Sequence, residues 1–172
     1  MRPRAAIAAA LCAVAGVTTL AGCGPEHQPV ASTPAVTVPT PTGPALTSTA
    51  LQQKAGAACT TLFAALDRLG KPPTDDIPAA KRWYPAAARA WHAFLDDAAM
   101  LVPPPDMVKD WGAVVDNARA ITEDADRNVA LINSGRQAIE VINSDPTADQ
   151  GQRNLSNGEL MQRLGIAACL KG

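Results

Sequence analysis

From Leu51 to Leu170 apolar side chains return every three or four positions, and clusters of proline cut the pattern into segments. Leu51, Ala55, Cys59, Leu62, Leu66 and Leu69 share one face of a helix that starts near Thr47 to Thr49. Gly70 followed by Pro72-Pro73 ends it, since proline cannot continue the hydrogen-bond ladder. Asp75-Asp76 offer capping carboxylates to a second helix, with Pro78 in its first turn. Pro85 disfavours helical geometry at Tyr84, so this helix is either kinked there or begins afresh. Ala88, Trp91, Leu95, Ala98 and Leu101 or Val102 then keep phase up to Pro103-Pro104-Pro105. A third helix opens near Asp106 and carries Val108, Trp111, Val115, Ala118, Ile121 or Thr122, Ala125, Val129 and Ile132. Asn133-Ser134-Gly135 can end it, although Ile139 and Ile142 stay in phase and equally allow a bent continuation to Asn143. Beyond Ser144-Asp145-Pro146 the chain is polar and poorly periodic up to Asn154. Ser156-Asn157-Gly158-Glu159 then has capping-box spacing ahead of Leu160, Leu164, Ala167, Ala168 and Leu170.

No alternating strand pattern interrupts this series, and the connections are short. Residues 50–172 therefore read as one all-α domain, an up-and-down bundle of about four helices. Gly24 to Thr49 has another character: Ser32-Thr33-Pro34, Val38-Pro39-Thr40-Pro41-Thr42-Gly43-Pro44 and Thr47-Ser48-Thr49 dominate it. Frequent proline removes backbone donors and favours polyproline II, and the few apolar residues bury no core. Residues 23–49 are thus expected to form a disordered, semi-rigid Thr/Pro tether, long enough to hold the bundle up to roughly 70 Å from its point of attachment. Its composition is similar to that of O-glycosylated stalks, with an unmodified spacer the equal alternative.

The first 22 residues form the third compositional zone. Met1-Arg2-Pro3-Arg4 is a short positive segment and Ala5 to Leu20 an uncharged run rich in Ala, Leu and Val, the layout of a signal peptide. Leu20-Ala21-Gly22-Cys23 resembles the bacterial lipobox, a Leu, two small residues and a cysteine. The resemblance implies a diacylglyceryl group on the thiol of Cys23 and cleavage between Gly22 and Cys23. It also implies a lipid anchor on the extracytoplasmic face of the cell membrane. Two acyl chains hold stably where one holds reversibly, each buried methylene contributing about 0.8 kcal/mol. Removal of residues 1–22 takes away Arg2 and Arg4 and moves the formal charge from −1 to −3. No basic stripe with interleaved aromatics remains to suggest nucleic-acid binding, and no polybasic patch to suggest anionic lipid.

The same layout accounts for the cysteines. Cys12 leaves with the signal peptide and Cys23 is taken by lipid, which leaves Cys59 and Cys169. In an oxidising compartment their simplest use is one disulfide between the first helix and the last. Buried free thiols and a redox pair are the alternatives, the latter without a Cys-x-x-Cys spacing. The Thr/Pro tether, the early Cys, the Ala-rich helices, the Pro-Pro-Pro-Asp connection and the Cys-Leu-Lys-Gly terminus are similar to small actinobacterial (mycobacterial-type) lipoproteins, a resemblance that implies no activity.

Catalytic signals are sparse. His92 is the one histidine of the body, His27 lying in the tether. No set of His, Cys and carboxylates has zinc-ligand spacing, and no nucleophile elbow, phosphate loop or dinucleotide fingerprint occurs. Asp75-Asp76, Asp96-Asp97 and Glu123-Asp124-Asp126 lack the Gly-containing loop that calcium uses, and read as caps and solvated faces, with Glu123 placed to pair with Arg127. No cofactor or metal is therefore expected, nor is an enzyme. Trp91 and Trp111 are in phase with apolar faces and read as core. Trp83-Tyr84, beside the Pro85 break with Lys81 and Arg82 alongside, reads as local packing or as a small binding patch. The expected function is a non-catalytic interaction or structural module of the cell envelope, meeting another envelope protein or a wall polymer. The alternative is a domain holding a small apolar ligand between helices near Trp91 and Trp111.

Overall fold

The computed structural model describes residues 36–73, 76–135 and 156–170. Three long helices follow one another, α1 (Ser48–Leu69), α2 (Ile77–Ala99) and α3 (Val108–Asn133). Residues 156–163 add a helical segment, α4, and a 3₁₀ turn over Ala167–Leu170 follows it. The fold is an all-α, up-and-down bundle in which α1 packs on α2, α2 on α3, and the C-terminal turn on α1. No strand occurs among the described residues.

The helix boundaries follow their local chemistry. Thr47 caps α1, its hydroxyl accepting from the backbone N–H of Ala50 at 3.2 Å. Gly70 closes the helix with φ +67°, its N–H reaching the carbonyls of Leu66 and Asp67. This is a left-handed position that glycine adopts without a Cβ clash. Asp76 caps α2 by accepting from Ala79 N–H at 2.8 Å, with Pro78 inside the first turn; Asp75 lies outside the described residues. Pro85 does not start a new helix. The ladder loses the bond to the Lys81 carbonyl, yet α2 runs on to Ala99. Burial on either side of the proline explains the continuity, since Ala80 and Tyr84 precede it and Ala87, Ala88 and Leu95 follow, all buried. The third helix starts at Val108, close to Asp106 as the spacing suggests, with Met107 at the cap position and no side-chain cap. It ends at Asn133, with Ser134 bonded back to Ala130 and Gly135 at φ +89°. Ile139, Ile142 and the polar stretch to Asn154 lie outside the described residues. Ser156 is already helical, so it is not the cap that the Ser156–Glu159 spacing suggests.

The main core gathers Leu51, Ala55, Cys59 and Leu62 of α1, Phe94, Leu95 and Ala98 of α2, and Trp111, Val114 and Ala118 of α3, closed by Leu160, Met161, Leu164 and Ile166. A smaller cluster of Ala80, Tyr84 and Ile132 joins the start of α2 to the end of α3. Alanine predominates where helices meet, which draws backbones close and leaves volume to be filled by the aromatic residues.

Two departures from the sequence reading concern the ends of the domain. Val36, Val38 and Leu46 pack against the main core, and Leu46 N–H donates to the Val102 carbonyl at 2.8 Å. The packed body thus reaches back through part of the segment assigned to the tether. Three apolar side chains hold a strap of irregular chain that forms no core of its own. At the other end, the last helix breaks at Gly165, which has φ +72°. A Cβ there would stand 2.7 Å from Gln52 Nε2, the atom that donates to the Leu164 carbonyl at 2.9 Å. Gly56 of α1 likewise lets the Ala168 Cβ approach to within 3.4 Å of where its own Cβ would be. Together these glycines seat the C-terminal turn against α1 and bring Cys169 to Cys59.

Candidate functional site

Cys59 and Cys169 form a disulfide, with Cα atoms 5.2 Å apart and a sequence separation of 110. Cys59 comes from the buried face of α1 and Cys169 from the 3₁₀ turn. The cross-link forms part of the wall of a cavity of about 340 Å³. Leu62 and Phe63 of α1, Trp91 and Phe94 of α2, Val114 of α3, and Met161 of α4 line the rest, with Asn157, Gly158 and Leu170 beside them. Trp91 and Phe94 meet edge to face at 6.0 Å between ring centres, which fixes the angle of one wall. Every element of the bundle contributes to this cavity. No lining side chain carries a charge.

The polar groups at the cavity are few. Asn157 accepts from Asn117 Nδ2 through its Oδ1 at 2.9 Å, which binds α4 to α3. The indoles of Trp83 and Trp111 donate to backbone carbonyls, of Gly70 at 3.0 Å and of Ala98 at 3.3 Å. Trp91, the tryptophan at the cavity, makes no such bond among the described residues.

The remaining candidate residues are distributed elsewhere. Trp111 is 2% exposed and does not line the cavity. Tyr84 is 7% exposed and Trp83 half-buried; their rings meet edge to face at 5.1 Å, and the Trp83 indole donates to the Gly70 carbonyl. The pair packs with Ile132, Val129 and Leu131 of α3. His92 Nε2 lies 3.0 Å from both carboxylate oxygens of Asp126. The pair bridges α2 and α3 at the surface, with side chains 41% and 28% exposed, and it lies outside the cavity lining. Arg127 pairs with Asp124 at 2.7 Å rather than with Glu123. The Asp124 side chain is only 8% exposed, and a buried carboxylate gains more from a guanidinium than one in water does. Asp110, in the first turn of α3, takes both Arg163 Nε and an Arg163 terminal nitrogen at 3.2 Å. That hydrogen bonding, aided by the charges of Arg163 and Lys109, holds the Asp110 carboxyl below its ordinary pKa.

Among the described residues no group of three or more His, Cys, Asp or Glu is placed to hold a metal ion, and no helix is long and apolar enough to cross a membrane. Gly22, Cys23 and the signal segment lie outside the described residues. The cavity residues that sequence reading missed are Phe63, Phe94, Val114 and Met161, while Asn157 and Gly158 entered it only as part of a capping box. Each of the four missed residues is next to a position on its helix's apolar stripe, so the periodicity alone does not single it out. No protein-family model, curated protein or solved structure matches this chain.

Proposed function

We propose that this chain is a lipid-anchored extracytoplasmic domain that binds a small apolar molecule in the cavity beside the Cys59–Cys169 disulfide. The supporting observation is the cavity itself, an uncharged hollow of about 340 Å³ lined by Leu62, Phe63, Trp91, Phe94, Val114 and Met161. Its size falls at the lower end of the range that small-molecule sites occupy, and its composition, mostly apolar with a few polar groups, is the usual one. Tight Ala-rich packing elsewhere in the bundle makes a hollow at the junction of all four helices a departure from the general trend of this core. An interaction module for an envelope protein or wall polymer has weaker support. The large apolar side chains exposed among the described residues are Met100, Val108 and Leu170, whereas partner-binding surfaces gather such residues into a broad patch.

The address comes from the lipobox. A lipid on Cys23 is the membrane attachment in this reading, 13 residues before Val36, which packs against the core. The cavity is thereby kept close to a reservoir of apolar molecules.

Filling the cavity tests the reading. Gly158 lines it, and a Cβ at Gly158 meets no atom within 4 Å. Gly158→Leu therefore adds bulk at the wall without a backbone clash. Saturable binding of naphthalene by the full chain in lipid nanodiscs, weakened tenfold or more in Gly158→Leu with an unchanged or raised unfolding midpoint, is the expected result. Absence of saturable binding, or equal binding by the two proteins, would overturn it.

A further inference from the structure

We infer that the cavity selects uncharged molecules that carry one hydrogen-bond acceptor, of the ketone, ester or amide class, over both hydrocarbons and carboxylates of the same length. This inference rests on the cavity being a ligand site and specifies its chemistry. Two side chains carry it. Asn157 lines the cavity, and Asn117 occupies its Oδ1, which leaves the two N–H groups of Nδ2 without an acceptor among the described residues. Trp91 also lines the cavity and differs from Trp83 and Trp111 in having no protein acceptor for its indole N–H among the described residues. Two of the lining residues thus carry donors without a protein acceptor among the described residues, and none carries a cation.

Asn117 has a specific part in this arrangement. By donating to Asn157 Oδ1 it engages the acceptor end of that carboxamide, so the end left free is the donor end. A carbonyl oxygen satisfies such a donor with no charge to compensate. A carboxylate brought to the same place leaves water for a wall that has no Lys, Arg or His, which is costly. A hydrocarbon fills the apolar part but leaves the donors to water. Asn117 is therefore a positioning residue, and Asn157 and Trp91 are the contact residues.

The test uses 2-octanone, octanoate and octane as probes of matched length. Each is added at equal free concentration to the full lipidated chain in nanodiscs, with empty discs as the reference and the Met161 methyl resonance as the readout. The expected order is ketone first, about tenfold tighter than octanoate and severalfold tighter than octane. Asn157→Leu, which leaves only the Trp91 N–H, should narrow the gap between ketone and hydrocarbon severalfold while octane binding persists, which also shows that the variant is folded. Asn117→Leu, which frees the Asn157 carboxamide to turn, should reduce the ketone preference without abolishing octane binding. Equal binding of ketone and octane by the unmodified chain would overturn the selectivity and leave the cavity as an apolar site. A preference for octanoate would overturn it as well. No binding of any probe would overturn the ligand-site reading and this inference with it.

Discussion

Replacing Cys59 and Cys169 together by alanine removes the one covalent link between α1 and the C-terminal turn, and its cost follows from the topology. The link closes a loop with a sequence separation of 110. In the chain-entropy treatment a loop of that length restricts the unfolded chain by about 4.8 kcal/mol at 25 °C. A domain of this size is stable by about 5–15 kcal/mol, so the loss takes between a third and nearly all of it. Urea unfolding of the full chain in nanodiscs, followed by far-UV circular dichroism, measures the change. For a slope of about 2 kcal/mol per molar urea the midpoint should fall by about 2 M. The unmodified chain reduced with a phosphine should unfold with the double variant, because both lack the cross-link while only one lacks the sulfurs. A midpoint displaced by less than about 0.5 M in both samples would refute the reasoning. It would mean that the interactions of Gln52, Gly56 and Gly165 already confine the C-terminal segment without covalent help.

Other consequences follow from single residues. Gly165→Ala should destabilise the fold by about 2 kcal/mol, combining a left-handed backbone penalty with disturbance of the Gln52–Leu164 hydrogen bond; in a double-mutant cycle, Gln52→Ala should relieve part of that cost. Gly158→Ala should raise stability by about 0.5 kcal/mol, since a helical glycine with open space around it gains from a Cβ. Asp110 titrates below its ordinary value because Arg163 hydrogen-bonds its carboxylate. The pair thus stabilises the fold above the unfolded-state pKa of Asp110, and the contribution disappears as pH falls through the folded-state value. Carboxyl-detected NMR should show the Asp110 pKa rising in Arg163→Gln. Cys23→Ser should move the protein out of the membrane fraction and abolish palmitate labelling, since serine offers no thiol for the thioether; retention with label would reject the anchor.

Much of the fold was legible because helical periodicity and punctuation coincide. The α1 stripe from Leu51 to Leu62 is buried as its spacing requires, and Thr47, Asp76, Gly70 and Gly135 stand where caps and stops belong. The disulfide was legible because the lipobox reading assigns Cys12 and Cys23 other roles and leaves Cys59 and Cys169 as the pair, which the fold does bring together. The remainder depended on tertiary context. Pro85 breaks a local rule, but burial of the residues around it keeps α2 continuous. Glu123 and Asp124 are neighbours in sequence, and only their different burial decides which one Arg127 meets. Val36 and Val38 sit among prolines and threonines, so composition hides the pocket on the bundle that receives them. The cavity was the least legible feature. It is a shortfall of volume where an Ala-rich core, a glycine at position 158 and a broken last helix converge, and no short stretch of sequence encodes it.

Native mass spectrometry of the lipidated chain taken from its own membrane tests the ligand-binding account most directly. A fraction carrying one additional small neutral mass, displaced by 2-octanone and missing from Gly158→Leu, is the predicted result. Protein that is empty in both forms, from membranes that retain their native small molecules, would contradict it.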